Sequence, residues 1–171
     1  MTAAVLTISD SSHRGERKDL SGPAVAARLA ELGWTIALTE ILPDEAAAIT
    51  ARLRELCRDP GLQAVITTGG TGVAPRDVTP EAVRPLLTKE IPGLAELMRM
   101  EGLKKTRRAV LSRSVAGLAG GTLILTLPGS PKGATESLDA VASLLPHIID
   151  LAAGRTCHPP TGGNGPAPPT V

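Results

Sequence analysis

The stretch with the clearest chemical potential is a glycine-rich segment followed at once by charged residues. Gly69, Gly70 and Gly72 lie within four residues, and Arg76 and Asp77 follow them. Glycine allows a positive φ and lets backbone amides approach a ligand without a Cβ in the way. An arginine can hold phosphate oxygens with its planar fork, and an aspartate can hold Mg²⁺ beside them. The pattern therefore predicts a phosphate-handling site, whereas a single glycine would indicate only a tight turn.

This glycine loop lies between a predicted strand and a predicted helix. Ala64 to Thr68 is short, apolar and β-branched, which is typical of a strand buried on both faces of a parallel sheet. Thr79-Pro80-Glu81 predicts a helix start with the threonine at the N-cap. The spacing matches neither the P-loop nor the dinucleotide fingerprint. A strand, a glycine loop and a helix start nevertheless build the usual anion-binding corner of an α/β sheet.

Two further predicted strands end in polar corners. Ser9 and Asp10 follow the apolar run Ala3–Ile8, either as a cap or as the lining of a pocket. The run from Pro128 to Lys132 follows another apolar strand, either as a turn made rigid by two prolines or as a ligand contact. Ligands in open α/β sheets bind beyond the carboxyl ends of the strands. We therefore expect these corners to meet the glycine loop at one sheet edge.

The other predicted elements alternate between helix and strand. Helices are expected from Ser21 to Gly33, from Ala46, around Leu94 and from Ala134 to Ala153 with a break at Pro146; strands are expected at Trp34–Leu38, and at Ala109–Ser112 and Thr122–Leu127 as a hairpin. Asp44 fits the N-cap of the helix at Ala46. This alternation predicts a three-layer α/β/α sandwich with a mostly parallel central sheet. It forms one domain over residues 1–153, and the Pro/Gly-rich tail 154–171 is expected to be disordered because it has no apolar face.

Composition excludes several classes of protein. The 171 residues carry a net charge of +1, so bulk electrostatics favour neither a nucleic-acid nor a membrane partner. Phe and Tyr are absent and Trp34 is the only aromatic residue, so the core must be aliphatic and no base-stacking platform is available. The two cysteines, Cys57 and Cys157, are expected to be free thiols in a reducing cytoplasm, because no signal peptide or membrane-spanning run is present.

The glycine loop also carries a family resemblance. Thr67 to Gly72 together with Pro75 to Pro80 resembles the molybdopterin adenylyltransferase family of molybdenum cofactor biosynthesis, which includes the N-terminal domain of gephyrin. Ile91-Pro92-Gly93, Leu111-Ser112-Arg113 and Leu127 to Lys132 resemble later blocks of that family in the same order. The resemblance runs from about Ala3 to Ala153.

The resemblance implies a molybdopterin-binding fold, a homotrimer and a Mg²⁺-dependent reaction with two small-molecule substrates. The terminal phosphate of molybdopterin would attack the α-phosphorus of ATP and give adenylyl-molybdopterin and pyrophosphate. Such a reaction needs charge neutralisation and alignment more than a protein nucleophile. The metal-inserting enzyme of the same pathway becomes a candidate partner.

The resemblance also implies roles for particular residues. Asp44 and Asp77 are expected to be catalytic and to hold the metal. The expected nucleotide- and phosphate-binding residues are Ser9, Asp10, Thr68, Gly69, Gly70, Thr71, Gly72 and Arg76. The expected pterin-binding residues are Glu90, Ser112, Arg113, Pro128, Gly129, Ser130 and Lys132. The basic cluster from Lys104 to Arg108 is more typical of a solvated face than of a substrate contact.

Two other functions compete with adenylyl transfer. Related domains occur in enzymes that hydrolyse nicotinamide nucleotides or ADP-ribose, but these carry an extra domain that this chain lacks. A non-catalytic pterin-binding or scaffold module is the other alternative. Retention of both Asp44 and Asp77 argues against it, because binding an anionic ligand gains nothing from two added carboxylates.

Overall fold

Strands and helices alternate along the chain as the sequence predicts. The structure, a computed structural model, describes residues 1–155. Its strands are β1 Thr2–Ile8, β2 Thr35–Leu42, β3 Ala64–Thr68, β4 Lys89–Glu90, β5 Ala116–Ala119 and β6 Thr122–Leu127. Its helices are α1 Asp10–His13, α2 Ser21–Glu31, α3 Ala46–Leu56, α4 Thr79–Val83, α5 Pro92–Leu103, α6 Pro131–Val141 and α7 Leu145–Ala152, with short 3₁₀ turns at Arg84–Leu86, Arg107–Leu111 and Ala142–Leu144.

The strands form one six-stranded sheet in the order β2-β1-β3-β6-β5-β4. β2, β1, β3 and β6 run parallel, while at one edge β5 pairs antiparallel with β6 and β4 pairs antiparallel with β5. The mostly parallel sheet is therefore confirmed. Parallel strands bury both faces, which explains why β1, β3 and β6 read as near-continuous apolar runs rather than alternating ones.

Helices cover both faces of the sheet and complete the predicted three layers. On one face, α2, α5, α6 and α7 pack against alternate strand residues such as Val5, Ile66 and Leu125. On the other face, α3 and α4 pack against the intervening residues, including Leu6 and Val65. Both clusters are aliphatic, and the single aromatic residue, Trp34, is buried in the first. The expected aliphatic core is confirmed.

The predicted hairpin is present, but its first strand was misplaced. Ala109–Ser112 is not a strand: Arg107–Leu111 forms a 3₁₀ turn, and Val110 and Leu111 are 54% and 52% exposed. The strand is β5, Ala116–Ala119, which returns into β6 through Gly120-Gly121. Gly117 lies inside this strand rather than in the turn, and the position requires glycine because a Cβ there would overlap the carbonyl oxygen of Lys89 in β4.

Two predicted N-caps were also wrong. The N-cap of α3 is Glu45, and the carboxylate of Asp44 accepts instead from the backbone of Asp10. The N-cap of α4 is Val78, and the buried hydroxyl of Thr79 donates to the carbonyl of Gly69 at 2.9 Å. The side chains expected to cap these helices instead bind other segments, the start of α1 for Asp44 and the glycine loop for Thr79.

The C-terminal helix breaks where proline predicts. α6 ends at Val141, a 3₁₀ turn follows, and α7 restarts at Leu145 with Pro146 in its first turn. α7 ends at Ala152, close to the expected domain boundary. The expected disorder of the tail and the thiol of Cys157 concern residues beyond the described 1–155. Within those residues Cys57 is a free thiol, and none of the helices is long and apolar enough to cross a membrane.

Candidate active site

The register of the parallel strands brings the predicted corners together. Thr7 of β1 pairs with Thr68 of β3, and Thr68 pairs with Leu127 of β6. The last residue of β1, Ile8, pairs with Leu42, the last residue of β2. Four strands therefore end level with one another. The segments that follow them contain Ser9, Asp44, the glycine loop and the Pro128–Ser130 corner, so the expected shared edge is confirmed.

Glycine is required at the first two positions of the loop. Gly69 and Gly70 have φ of +106° and +62°, in the left-handed region that side-chain-bearing residues avoid. A Cβ on Gly69 would also overlap the carbonyl oxygen of Ile8, and one on Gly70 would overlap the hydroxyl of Thr79. The loop backbone therefore lies directly against β1 and α4.

The backbone N–H groups of this loop are available to a ligand. Within residues 1–155, the amides of Gly70, Thr71 and Gly72 donate no hydrogen bond to the protein. Backbone amides seek a partner, and consecutive unpaired N–H groups form a concavity suited to an anion. This arrangement supports the predicted phosphate contact at these three residues.

The glycine loop is fastened to the Pro128–Ser130 corner. The amide of Gly69 donates to the carbonyl of Leu127 at 3.0 Å, and the hydroxyl of Thr68 donates to the carbonyl of Pro128 at 2.7 Å. A Cβ on Gly129 would come within 3.2 Å of the Gly69 Cα. Thr68 is fully buried, so its hydroxyl joins the two corners instead of facing a ligand.

Asp10 and Asp44 bind one another reciprocally, the backbone amide of each donating to the carboxylate of the other. Asp10 N donates to Asp44 Oδ2 at 2.8 Å, and Asp44 N donates to Asp10 Oδ1 at 3.0 Å. Hydrogen bonds from Arg76 and from the Asp44 amide lower the pKa of Asp10. Burial raises the pKa of Asp44, and the charges of Asp10 and Asp77 act in the same direction. The Asp44 carboxylate is thus in a position that disfavours its negative charge.

Arg76 pairs with Asp10 in this structure. Its Nε donates to Asp10 Oδ2 at 3.0 Å, and its Nη2 contacts both carboxylate oxygens at 2.9 and 2.7 Å. The Arg76 side chain is 62% exposed. Arg76 therefore bridges the tip of the glycine loop to the end of β1, and it can bind a phosphate only by sharing or leaving Asp10.

Two adjoining cavities open at this edge of the sheet. The α1 cavity, of about 380 Å³, lies beside Ser9 and Ser12 and extends to Asp19 and the start of α2. The α5 cavity, of about 430 Å³, lies between the glycine loop, α5 and the following 3₁₀ turn. The residues that line both cavities are Gly70, Asp77, Gly129 and Ser130. Asp77 therefore stands on the wall that the two cavities share.

The cavities contain most, but not all, of the predicted site residues. Ser9, Asp44 and Gly69 line the α1 cavity, and Thr71, Gly72, Ser112 and Pro128 line the α5 cavity. The predicted residues outside both linings are Asp10, Thr68, Arg76, Glu90, Arg113 and Lys132. Glu90 lies on the edge strand β4 near Arg84, at 3.7 Å. Ser130 is the N-cap of α6, because its hydroxyl accepts from the amide of Gly133.

Sequence reasoning missed several residues of the cavity walls. Asp19 accepts hydrogen bonds from the Thr7 hydroxyl at 2.7 Å and from the first amides of α2, and it lines the α1 cavity. The Asp19-Leu20-Ser21 sequence is a helix-start signal that could have identified it. Arg99 and Arg108 line the α5 cavity. Of the basic cluster, Arg108 alone reaches this wall, and only the fold reveals it.

The two catalytic candidates form a donor set suited to a divalent cation. Asp44 Oδ2 accepts from Asp10 N and Asp77 Oδ2 accepts from Ala74 N, at 2.8 and 2.7 Å. Within residues 1–155 the other oxygen of each carboxylate accepts no hydrogen bond. No group of three acidic, histidine or cysteine side chains in the described residues is arranged to hold a metal. Mg²⁺ needs fewer protein ligands than three, because it is held by one or two carboxylates together with substrate phosphates. The residues present therefore fit Mg²⁺.

A family model described as a probable molybdopterin binding domain matches residues 4–147. The chain belongs to the molybdopterin-binding domain family. The match runs from within β1 to the start of α7, and it therefore includes both cavities and the wall between them.

Relatives and solved structures match nearly the whole described chain. A molybdopterin adenylyltransferase of Helicobacter pylori strain J99 is 43% identical over 153 residues, which cover 88% of this chain and 87% of the relative. The molybdenum cofactor synthesis protein cinnamon of Drosophila melanogaster is 45% identical over 152 residues, but this chain spans a quarter of its length. The solved structure of the molybdopterin biosynthesis enzyme MoaB of Thermus thermophilus aligns with a TM-score of 0.84 at 53% identity, covering 90% of this chain and 96% of that one.

Proposed function

We propose that this protein is a molybdopterin adenylyltransferase of molybdenum cofactor biosynthesis, with ATP and molybdopterin as substrates and Mg²⁺ as cofactor. The observation that carries the proposal is the position of Asp77 on the wall shared by two cavities. A transferase must hold two substrates with their reacting atoms adjacent. The relatives named molybdopterin adenylyltransferase support the same assignment.

The two cavities differ in ways that suggest which substrate each one holds. The α1 cavity is lined by Ser9, Ser12 and Ser21, by Asp44, and by the basic residues Arg17 and Lys18, a polar set suited to the phosphates of ATP. The α5 cavity has apolar walls from Met98, Leu111 and Pro128, with Ser112 and Arg108 beside them. A flat pterin with polar edges fits such a lining.

In this arrangement the chain positions the two substrates and neutralises their phosphate charges, and no side chain acts as a nucleophile. An oxygen of the molybdopterin terminal phosphate bonds to the α-phosphorus of ATP, and the bond from that phosphorus to the bridging oxygen breaks. The electron pair leaves with pyrophosphate. The unpaired amides of Gly70, Thr71 and Gly72 receive phosphate oxygens, and Asp44 and Asp77 hold the metal. Bound Mg²⁺ supplies charge neutralisation for the phosphates.

Assembly and location are part of the same proposal. We propose a homotrimer that works in the cytoplasm and passes its product to the metal-inserting enzyme of the pathway. Exposed apolar side chains support self-association: Met100, Leu103, Val110 and Leu111 on α5 and the following 3₁₀ turn are 45–63% exposed. Adenylylated molybdopterin is an activated intermediate, so a downstream enzyme must consume it.

The direct test is to incubate the protein with molybdopterin, ATP and Mg²⁺ and to measure pyrophosphate and adenylyl-molybdopterin together. The proposal expects both products in equal amounts, and neither when any one component is omitted. Pterin binding without pyrophosphate would favour the non-catalytic binding module. Nucleotide hydrolysis without molybdopterin would favour the hydrolase alternative.

A further inference from the structure

One guanidinium, that of Arg113, binds both ends of the segment from Gly72 to Asp77. Arg113 Nε donates to the carbonyl of Gly72 at 2.7 Å, and Arg113 Nη2 donates to the carbonyl of Asp77 at 2.6 Å. The backbone amide of Arg113 adds a bond to the carbonyl of Thr71 at 2.8 Å. The six residues from Gly72 to Asp77 therefore form a loop whose two ends are tied to a single side chain from a distant segment.

The remaining N–H edge of the guanidinium binds Glu81, in the first turn of α4. Its carboxylate accepts from Nη1 and, at 3.4 Å, from Nη2. Arg113 thus lies between the loop and the helix that follows it, with its donors directed at two carbonyls and one carboxylate. It lines neither cavity. These contacts differ from those expected of a pterin-binding residue.

Asp77 depends on this loop for its own placement. Its Oδ2 accepts from Ala74 N at 2.7 Å, and its amide donates to the carbonyl of Ala74 at 2.9 Å, both within the loop. A Cβ on Gly72 would lie 2.7 Å from the same Oδ2. A shift of the loop backbone must therefore move the carboxylate.

We infer that Arg113, together with Glu81, is a positioning residue that fixes the loop from Gly72 to Asp77 and so sets where the Asp77 carboxylate stands between the two cavities. The inference rests on the proposed adenylyl transfer and assigns Arg113 to the loop rather than to the pterin. The planar fork of arginine is essential, since a lysine ammonium offers a point charge that cannot bind Gly72, Asp77 and Glu81 in one plane.

The test compares Arg113→Lys with Arg28→Lys. Arg28 is a matched control because its guanidinium likewise binds several acceptors, here the carboxylates of Glu31 and Asp139, with a similar exposure of 36% against 34% for Arg113. In metal-free protein, Arg113→Lys should speed hydrogen exchange at the Ala74 and Asp77 amides by about tenfold or more and leave β1 unchanged. Arg28→Lys should change neither region. Unchanged exchange at these two amides in Arg113→Lys would overturn the inference.

Turnover separates positioning from pterin binding. A misplacement near 1 Å can cost on the order of a hundredfold in rate. We expect Arg113→Lys to lower kcat by at least about tenfold while the Kd for molybdopterin stays within about twofold. Glu81→Gln should show a smaller effect of the same kind. An equal loss of pterin affinity with normal exchange would assign Arg113 to the pterin instead. An inactive wild-type protein would refute the adenylyl transfer, whereas the exchange comparison would still decide the role of Arg113.

Discussion

At the scale of single residues, the site consists of carboxylates that the fold fixes through one oxygen and leaves accessible through the other. Asp44 and Asp77 each accept one backbone hydrogen bond, and both line the α1 cavity. Placing two acids beside amides that attract phosphate is electrostatically unfavourable unless a cation lies between them. This combination distinguishes a catalytic site from a simple anion-binding corner.

Asp77→Asn tests that reasoning, because it removes the charge and keeps the size and an acceptor for Ala74. We expect turnover to fall by orders of magnitude, while molybdopterin affinity is retained or increases as repulsion between anions falls. Asp59→Asn is the matched control, since Asp59 also accepts from a nearby loop amide, that of Gly61 at 2.8 Å, at the opposite end of the sheet. Near-normal turnover of Asp77→Asn would refute the metal-holding role, and joint loss of turnover and affinity would indicate misfolding.

The Glu81–Arg113 pair predicts a specific pH dependence of stability. The hydrogen bond from Arg113 lowers the pKa of Glu81 below its usual 4.5. The folded state therefore favours the ionised carboxylate, and this stabilisation is present above pH 4.5 and lost as pH falls through the lowered pKa. Half-exposed pairs contribute little, so Glu81→Gln should lower the Tm at neutral pH by about 1–3 °C. Thermal melts from pH 7 to pH 3 should show this difference shrinking towards acid, and a difference that grows would contradict the assignment.

Sequence patterns identified which of these residues carry chemistry, but they did not identify which partners the residues contact. The three glycines and Asp77 could be selected from residue type and spacing alone, whereas Asp44 was selected through the family resemblance. The roles of Arg113 and Arg76 could not, because each binds a segment far away in the chain: Arg113 contacts residues 71–81, and Arg76 contacts Asp10. Such pairings depend on strand order and register, which no local pattern specifies.

At the scale of elements, the conformation of the glycine loop is set by contacts with β1 and α4. Gly69→Ala combines a positive φ with a clash against the Ile8 carbonyl, so we expect a loss of stability of roughly 2–4 kcal/mol or failure to fold. Gly120→Ala has a φ of +63° but open space around it, so it should cost about 1 kcal/mol. Gly93→Ala in α5 meets open space and should stabilise slightly. Urea unfolding of the three variants checks this order, and a Gly69→Ala protein as stable as Gly120→Ala would contradict it.

The elements themselves were largely predictable, and the errors have a common cause. Near-continuous apolar runs located β1, β3 and β6, and helical apolar periodicity located their helices, because those segments face the core on one or both sides. The run Ala109–Ser112 is equally apolar, yet it forms an exposed turn above the α5 cavity. A short apolar run that lines a ligand cavity or an association surface has the same composition as a buried strand. Sequence alone therefore assigned this run to the core.

At the scale of the whole molecule, the exposed apolar surface on α5 and its following turn predicts association. We expect light scattering at micromolar concentration to give a mass three times that of the chain. Leu103→Glu with Val110→Glu should reduce this mass, because two charges would be buried between copies. Leu144→Glu with Leu151→Glu, at similarly exposed positions elsewhere, should not change it. A clean monomer for the wild-type protein would contradict the trimer.

In the proposed reaction, the α-phosphorus of ATP is transferred to molybdopterin across the wall that carries Asp77. Labelled ATP tests it directly, with the label at the α-position in one reaction and at the γ-position in another. We expect the α-label to appear on molybdopterin and the γ-label to appear only in pyrophosphate, and we expect Asp77→Asn to abolish both. Release of α-label as free AMP, or no transfer while molybdopterin is bound, would contradict it.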